Sequence, residues 1–93
     1  MSDYLSMGLG EKIRQIREAE GLTRKAFAER TGIPKDTIMR IEQGRNEPKG
    51  PMLQTIGRMW PQYAYWLLTD QTDAANGHIS PELAVTPKNL PEA

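Results

Sequence analysis

The chain has 93 residues, no cysteine, and 12 Lys or Arg balanced by 12 Asp or Glu, for a formal net charge of zero. That length suits one small domain, and the missing cysteines exclude disulfides and thiolate metal sites, leaving helix packing and dimerisation as sources of stability. No charged-then-apolar leader opens the sequence and no apolar run nears the ~18–20 residues of a membrane span, so a soluble cytoplasmic protein without a membrane partner is expected.

Residues 1–8 read as a loose lead-in. The spacing of Leu9, Ile13, Ile16 and Glu20 predicts a first helix closed by Gly21. Thr23 is the side-chain cap of a second helix running to about Thr31, Gly32-Ile33 makes a turn, and a third helix runs from about Lys35 to Gln43 and stops at Gly44. Residues 45–50 form a polar loop. Pro51 suits the first position of a fourth helix, with Leu53, Ile56 and Trp60 on one stripe, and Pro61 breaks it. A short fifth helix over about Gln62 to Thr69 presents Tyr63, Trp66 and Leu67 together. Beyond Asp70 the chain holds three prolines, one glycine and few large apolar side chains. It reads there as an extended tail, in which Ser80-Pro81-Glu82-Leu83 is suited to cap a single helical turn. There is no internal repeat and no low-complexity tract.

Residues 24–43, RKAFAERTGIPKDTIMRIEQ, have the pattern of a DNA-reading helix-turn-helix. Ala28, Gly32, Ile38 and Ile41 occupy relative positions 5, 9, 15 and 18 of this twenty-residue unit. Ala28 must be small because the second helix of the unit crosses closely over the first. Gly32 supplies the left-handed backbone that ends the first helix. Ile38 and Ile41, three residues apart, share one face and anchor the second helix to the core. The opposite face is left to Lys35, Asp36, Met39, Arg40 and Gln43, where a major groove is read.

The neutral total hides an uneven distribution. Residues 11–50 carry ten Lys or Arg against seven Asp or Glu, a local charge of +3, while residues 1–10 contribute −1 and residues 51–93 contribute −2. The basic excess lies under the motif, and the local field at a contact face sets phosphate attraction. The balance argues against a strong, non-specific DNA coat.

On these residues the chain resembles the Cro/CI-type repressor family, also called the xenobiotic-response-element family of bacterial and phage regulators. The resemblance covers residues 9–70 and is most specific in GLTRKAFAERTGIPKDTIMRIEQGRNEP (residues 21–48) and YWLLTD (residues 65–70). It implies an all-α fold: a five-helix, repressor-like DNA-binding domain over 9–70, with a short extended C-terminal tail over 71–93. It also implies a homodimer on a palindromic operator. Carried over by position, Lys35, Asp36, Met39 and Arg40 face base edges. Lys35 and Arg40 suit guanine O6 and N7, Asp36 suits cytosine N4, and Met39 suits a thymine methyl. Phosphate contacts fall to Arg24, Thr37, Arg45, Asn46 and Lys49, with Gln43 at the groove's edge. The family often has Gln where Arg24 stands, so a charge here replaces an amide. Pro34 departs from the usual Ser or Thr cap, and Asp36 is left to take over some of that role. Arg17 and Glu42 match a pair that joins the first helix to the third.

Each sharp reading has a plainer one beside it. The charged face over 35–45 reads alternatively as ordinary solvated surface, and Met39 as a merely exposed methionine. Trp60, Tyr63, Trp66 and Leu67 read as core and dimer seam rather than a ligand cage. His78 is a lone histidine in a polar segment, and neither a metal site nor a cofactor is expected. No paired acid/base carboxylates, catalytic serine set or phosphate loop is present, so enzyme activity is not expected. The tail reads either as a loose extension or as a segment that packs across a partner subunit and strengthens a dimer. The leading expectation is a sequence-specific regulator of transcription binding double-stranded DNA. The alternative is an antitoxin-like module that holds a protein partner through its tail and regulates itself through DNA.

Overall fold

The computed structural model describes residues 8–84. Residues 1–7 of the loose lead-in expected over 1–8, and the part of the tail beyond residue 84, lie outside the described residues. Five α-helices follow in order: α1 (Leu9–Ala19), α2 (Arg24–Thr31), α3 (Lys35–Glu42), α4 (Gly50–Met59) and α5 (Ala64–Thr69). A 3₁₀ turn, Pro61–Tyr63, leads directly into α5, and a second, Ala74–Asn76, follows it.

The helix ends follow local chemistry. Thr23 Oγ1 accepts from the Ala26 N–H at 3.0 Å, capping α2. At its other end Gly32, at φ 78°, donates its N–H to the Ala28 carbonyl at 2.8 Å, a left-handed closure that costs glycine little. Gly44, at φ 79°, closes α3 in the same backbone region. Its N–H donates to the Ile41 carbonyl at 3.0 Å and that of Arg45 to the Arg40 carbonyl at 2.9 Å.

One core joins all five helices. Ile13 and Ile16 of α1, Phe27 of α2, Ile38 and Ile41 of α3, and Ile56 of α4 meet the aromatic side chains that follow α4. Ala28 is partly buried against this core. Trp60 lies one residue past α4 rather than on it, at φ −132°, because Pro61 disfavours helical backbone in the residue before it. Its ring nevertheless stacks on Phe27, with centroids 5.2 Å apart and planes 4° from parallel.

Trp60, Tyr63, Trp66 and Leu67, expected at core and dimer seam alike, are interior in the single chain, none more than 7% exposed. Buried within one chain, they have little surface left to offer a partner. A domain this small needs these large side chains in its own core, at about 1.5–3 kcal/mol for each one buried. The apolar surface left to α5 is instead Tyr65 and Leu68, 38% and 63% exposed.

Residues 71–84 are not simply extended. Asp73 and His78 exchange both backbone bonds, at 2.7 and 3.0 Å, across the second 3₁₀ turn. The Ile79 N–H then donates to the Gln62 carbonyl at 2.9 Å, returning the segment to the body, and Pro81 is fully buried. The helical turn after Ser80 is present over residues 81–84, with the Leu83 and Ala84 N–H groups donating to the Ser80 carbonyl. The segment's few apolar side chains gave little sign of this return, which rests on backbone bonds and on Ile79 and Pro81.

Lys12 is a feature that motif reasoning passed over. Though only 4% exposed, it donates Nζ to the Trp66 and Leu67 carbonyls, both at 3.1 Å, and pairs with Asp70. It thereby satisfies carbonyls at the C-terminus of α5, where a cation is favoured. The signal was its position: three residues after Leu9 and four before Ile16, Lys12 shares the inward stripe of α1.

Candidate nucleic-acid interface

The α2–turn–α3 unit presents α3 with one face sealed and the other open. Ile38 and Ile41 are 1% and 2% exposed, and Ile33 in the turn is also buried. Lys35, Asp36 and Gln43 are exposed on the other side, with Thr37, Met39 and Arg40 half-buried.

Among the described residues, some cations are paired within the fold and others are not. Lys12, Arg14, Arg17 and Arg24 are all engaged in ion pairs within the fold. Lys35, Arg40 and Lys49, with Asp36 and Asn46, have no side-chain hydrogen bond or ion pair among the described residues, a state they share with Lys25, Arg30 and Arg58. These polar groups are therefore open to an external partner without breaking an internal bond.

Pro34 gives α3 no side-chain cap, and Asp36 does not replace it, since its carboxylate accepts no bond. The first backbone bond of α3 runs from the Ile38 N–H to the Pro34 carbonyl at 3.0 Å. The N–H groups of Lys35, Asp36 and Thr37 thus remain unbonded in the first turn, where anionic groups are favoured.

Beyond α3, the closure at Gly44 fixes the start of the loop, and Arg45 Nη1 donates to Gln43 Oε1 at 3.3 Å. Thr37, Arg45, Asn46 and Lys49 line one groove of about 740 Å³ together with the acidic Glu47 and the apolar Ile41, Pro51 and Met52. Four of the residues expected at phosphates are thereby brought together. Arg24 is placed elsewhere: its Nε donates to Glu42 Oε1 at 3.0 Å.

Arg17 and Glu42 pair closely. Arg17 Nε donates to Glu42 Oε2 at 2.7 Å and Nη2 to Oε1 at 3.0 Å, with the Glu42 side chain only 1% exposed. Arg24 is a third member of this cluster, which the sequence did not signal because a tie between α2 and the end of α3 depends on how the helices cross.

Among the described residues no group of three or more His, Cys, Asp or Glu is placed to hold a metal ion. The His78 ring lies against Tyr65, 5.4 Å between centroids, with Nδ1 buried and unbonded. No helix among the described residues is long and apolar enough to cross a membrane.

Comparison with known proteins bears on the same region. A family model described as a helix-turn-helix domain matches residues 8–59. The chain is 33% identical over 82 residues to Repressor protein C of Escherichia phage P2, a match covering 86% of this chain and 83% of that protein. It is 39% identical over 46 residues to an uncharacterized HTH-type transcriptional regulator of Methanothermobacter thermautotrophicus, covering 50% of this chain and 67% of that protein.

Proposed function

Because this chain belongs to the Cro/CI-type helix-turn-helix family of DNA-binding transcription regulators, we propose that it binds a palindromic operator in double-stranded DNA as a homodimer, reading sequence through α3. The observation that carries this reading is the division of α3: Ile38 and Ile41 hold one face in the core, while Lys35, Asp36 and Arg40 have no internal polar partner on the other. An anchored helix with an uncommitted polar face is what the major groove admits.

Lys35 and Arg40 then donate to guanine, Asp36 accepts from cytosine N4, and Met39 touches a thymine methyl. The lined groove of Thr37, Arg45, Asn46 and Lys49, with Gln43 at its edge, grips phosphates and sets register. The unbonded first-turn N–H groups of α3 support the same placement. For the dimer, Tyr65 and Leu68 lie three residues apart on α5 and give that helix an exposed apolar face.

Selection of bound sequences from a random duplex pool tests the proposal. The expected product is a pair of inverted half-sites one helical turn apart, ~34 Å between centres. No enrichment at low salt sinks duplex reading, and enrichment of a single, unpaired half-site sinks the dimer. Sedimentation of the chain with Leu68→Glu tests the seam: the substitution shifts the protein to monomer if α5 carries the contact.

A further inference from the structure

Arg24 opens α2, yet its guanidinium is held at the last turn of α3. Its Nε donates to Glu42 Oε1 at 3.0 Å, on a carboxylate that also accepts from Arg17 Nε and Nη2. Arg17 is itself anchored, its Nη1 donating to the Leu22 carbonyl at 2.9 Å. Arg17 of α1 thus fixes the Glu42 carboxylate at the end of α3, and that carboxylate holds Arg24 of α2.

A guanidinium held through Nε keeps both Nη groups. Arg24 uses neither on any described residue, and its side chain remains 38% exposed. The planar fork therefore has one edge committed to the protein and one edge open. Lysine, a compact ammonium on a flexible stem, has no planar fork whose second edge is fixed when the first is bound. Excess charge is not the source of the effect, since Glu18 also approaches Arg17 at 3.9 Å. Geometry is.

We infer that Glu42 is a positioning residue for Arg24, holding its open Nη edge to grip a DNA phosphate. The buried pair that locks α1 to α3 thereby also sets one contact to the duplex backbone. A fork already held in place loses less freedom on binding and makes short charge-assisted bonds to phosphate. This rests on the reading of the chain as a duplex binder.

The test is affinity for the selected operator, measured across a range of salt concentrations. Arg24→Ala removes one phosphate contact, lowering affinity about tenfold and the salt slope by ~0.9. Arg24→Lys keeps the charge and a near wild-type slope but loses about as much affinity at fixed salt. In a Glu42→Gln background, Arg24→Ala costs little further, because the positioned contact is already gone. Wild-type affinity for Arg24→Lys, or additive losses in the Glu42→Gln background, overturns the positioning role while duplex binding stands. Arg24→Lys, at a partly exposed position, decides the matter if Glu42→Gln does not fold. A wild-type chain that enriches no sequence overturns the duplex reading itself.

Discussion

Gly10 of α1 lies directly against the main-chain carbonyl of Ile41 in α3. A Cβ built on Gly10 overlaps that oxygen and comes within 3.6 Å of Ile41 Cγ2. The first helix can therefore seat against α3 only where it has no side chain. Backbone, unlike a flexible side-chain tip, cannot give way cheaply.

Gly10→Ala is expected to destabilise the domain by about 1–3 kcal/mol. Helix propensity alone predicts the reverse, a gain of about 1 kcal/mol for alanine over glycine within a helix. Chemical denaturation decides between them, and a more stable variant removes the close approach from the account.

Arg17→Ala leaves the buried Glu42 carboxylate with Arg24 as its remaining partner, and should cost about 3 kcal/mol. The double variant Arg17→Ala with Glu42→Ala should cost clearly less than the sum of the two single losses, since no charge is then left stranded. A double-mutant cycle by urea unfolding measures this; simple additivity rules out the coupling.

Lys35→Ala and Lys49→Ala should separate in operator binding. Loss of Lys35 relaxes the preference at one base pair, at about 1–3 kcal/mol for the preferred base. Loss of Lys49 weakens all sequences alike and reduces the salt slope by about 1. Competition titrations with single-base operator variants read both, and equal weakening for every variant by Lys35→Ala removes its base-reading role.

The Tyr63 hydroxyl donates to Glu20 Oε2 at 2.9 Å, and burial first, then this bond, push its pKa well above the ordinary 10.0. The unfolded chain loses that proton near pH 10 while the folded chain keeps it, so the folded state binds more protons above pH 10. The contribution of Tyr63 is thus complete below pH 10 and falls as pH rises beyond it. Tyr63→Phe should cost about 1 kcal/mol at neutral pH, with the gap to wild type narrowing in alkali. A gap that is the same at pH 7 and pH 11 contradicts this.

Much of the fold was legible because its signals are local. Thr23, Gly32, Gly44 and Pro61 punctuate the helices through their own backbone chemistry, which acts wherever they stand. The stripe of Ile38 and Ile41 likewise fixed which face of α3 turns inward. The inner position of Lys12 was available in the same periodicity, but its purpose was not, since its partners Trp66, Leu67 and Asp70 lie more than fifty residues on.

By itself, the sequence determined the succession of helices, several of their ends, and the polar face that α3 offers, because each depends on residues within a few positions of one another. Only the tertiary structure decided which large side chains are interior, that part of the supposed tail returns to the body, and that Arg24 is tied to Glu42. Those outcomes depend on how helices cross. A crossing brings together groups with no relation in spacing: it places Gly10 against Ile41, and Trp60 over Phe27.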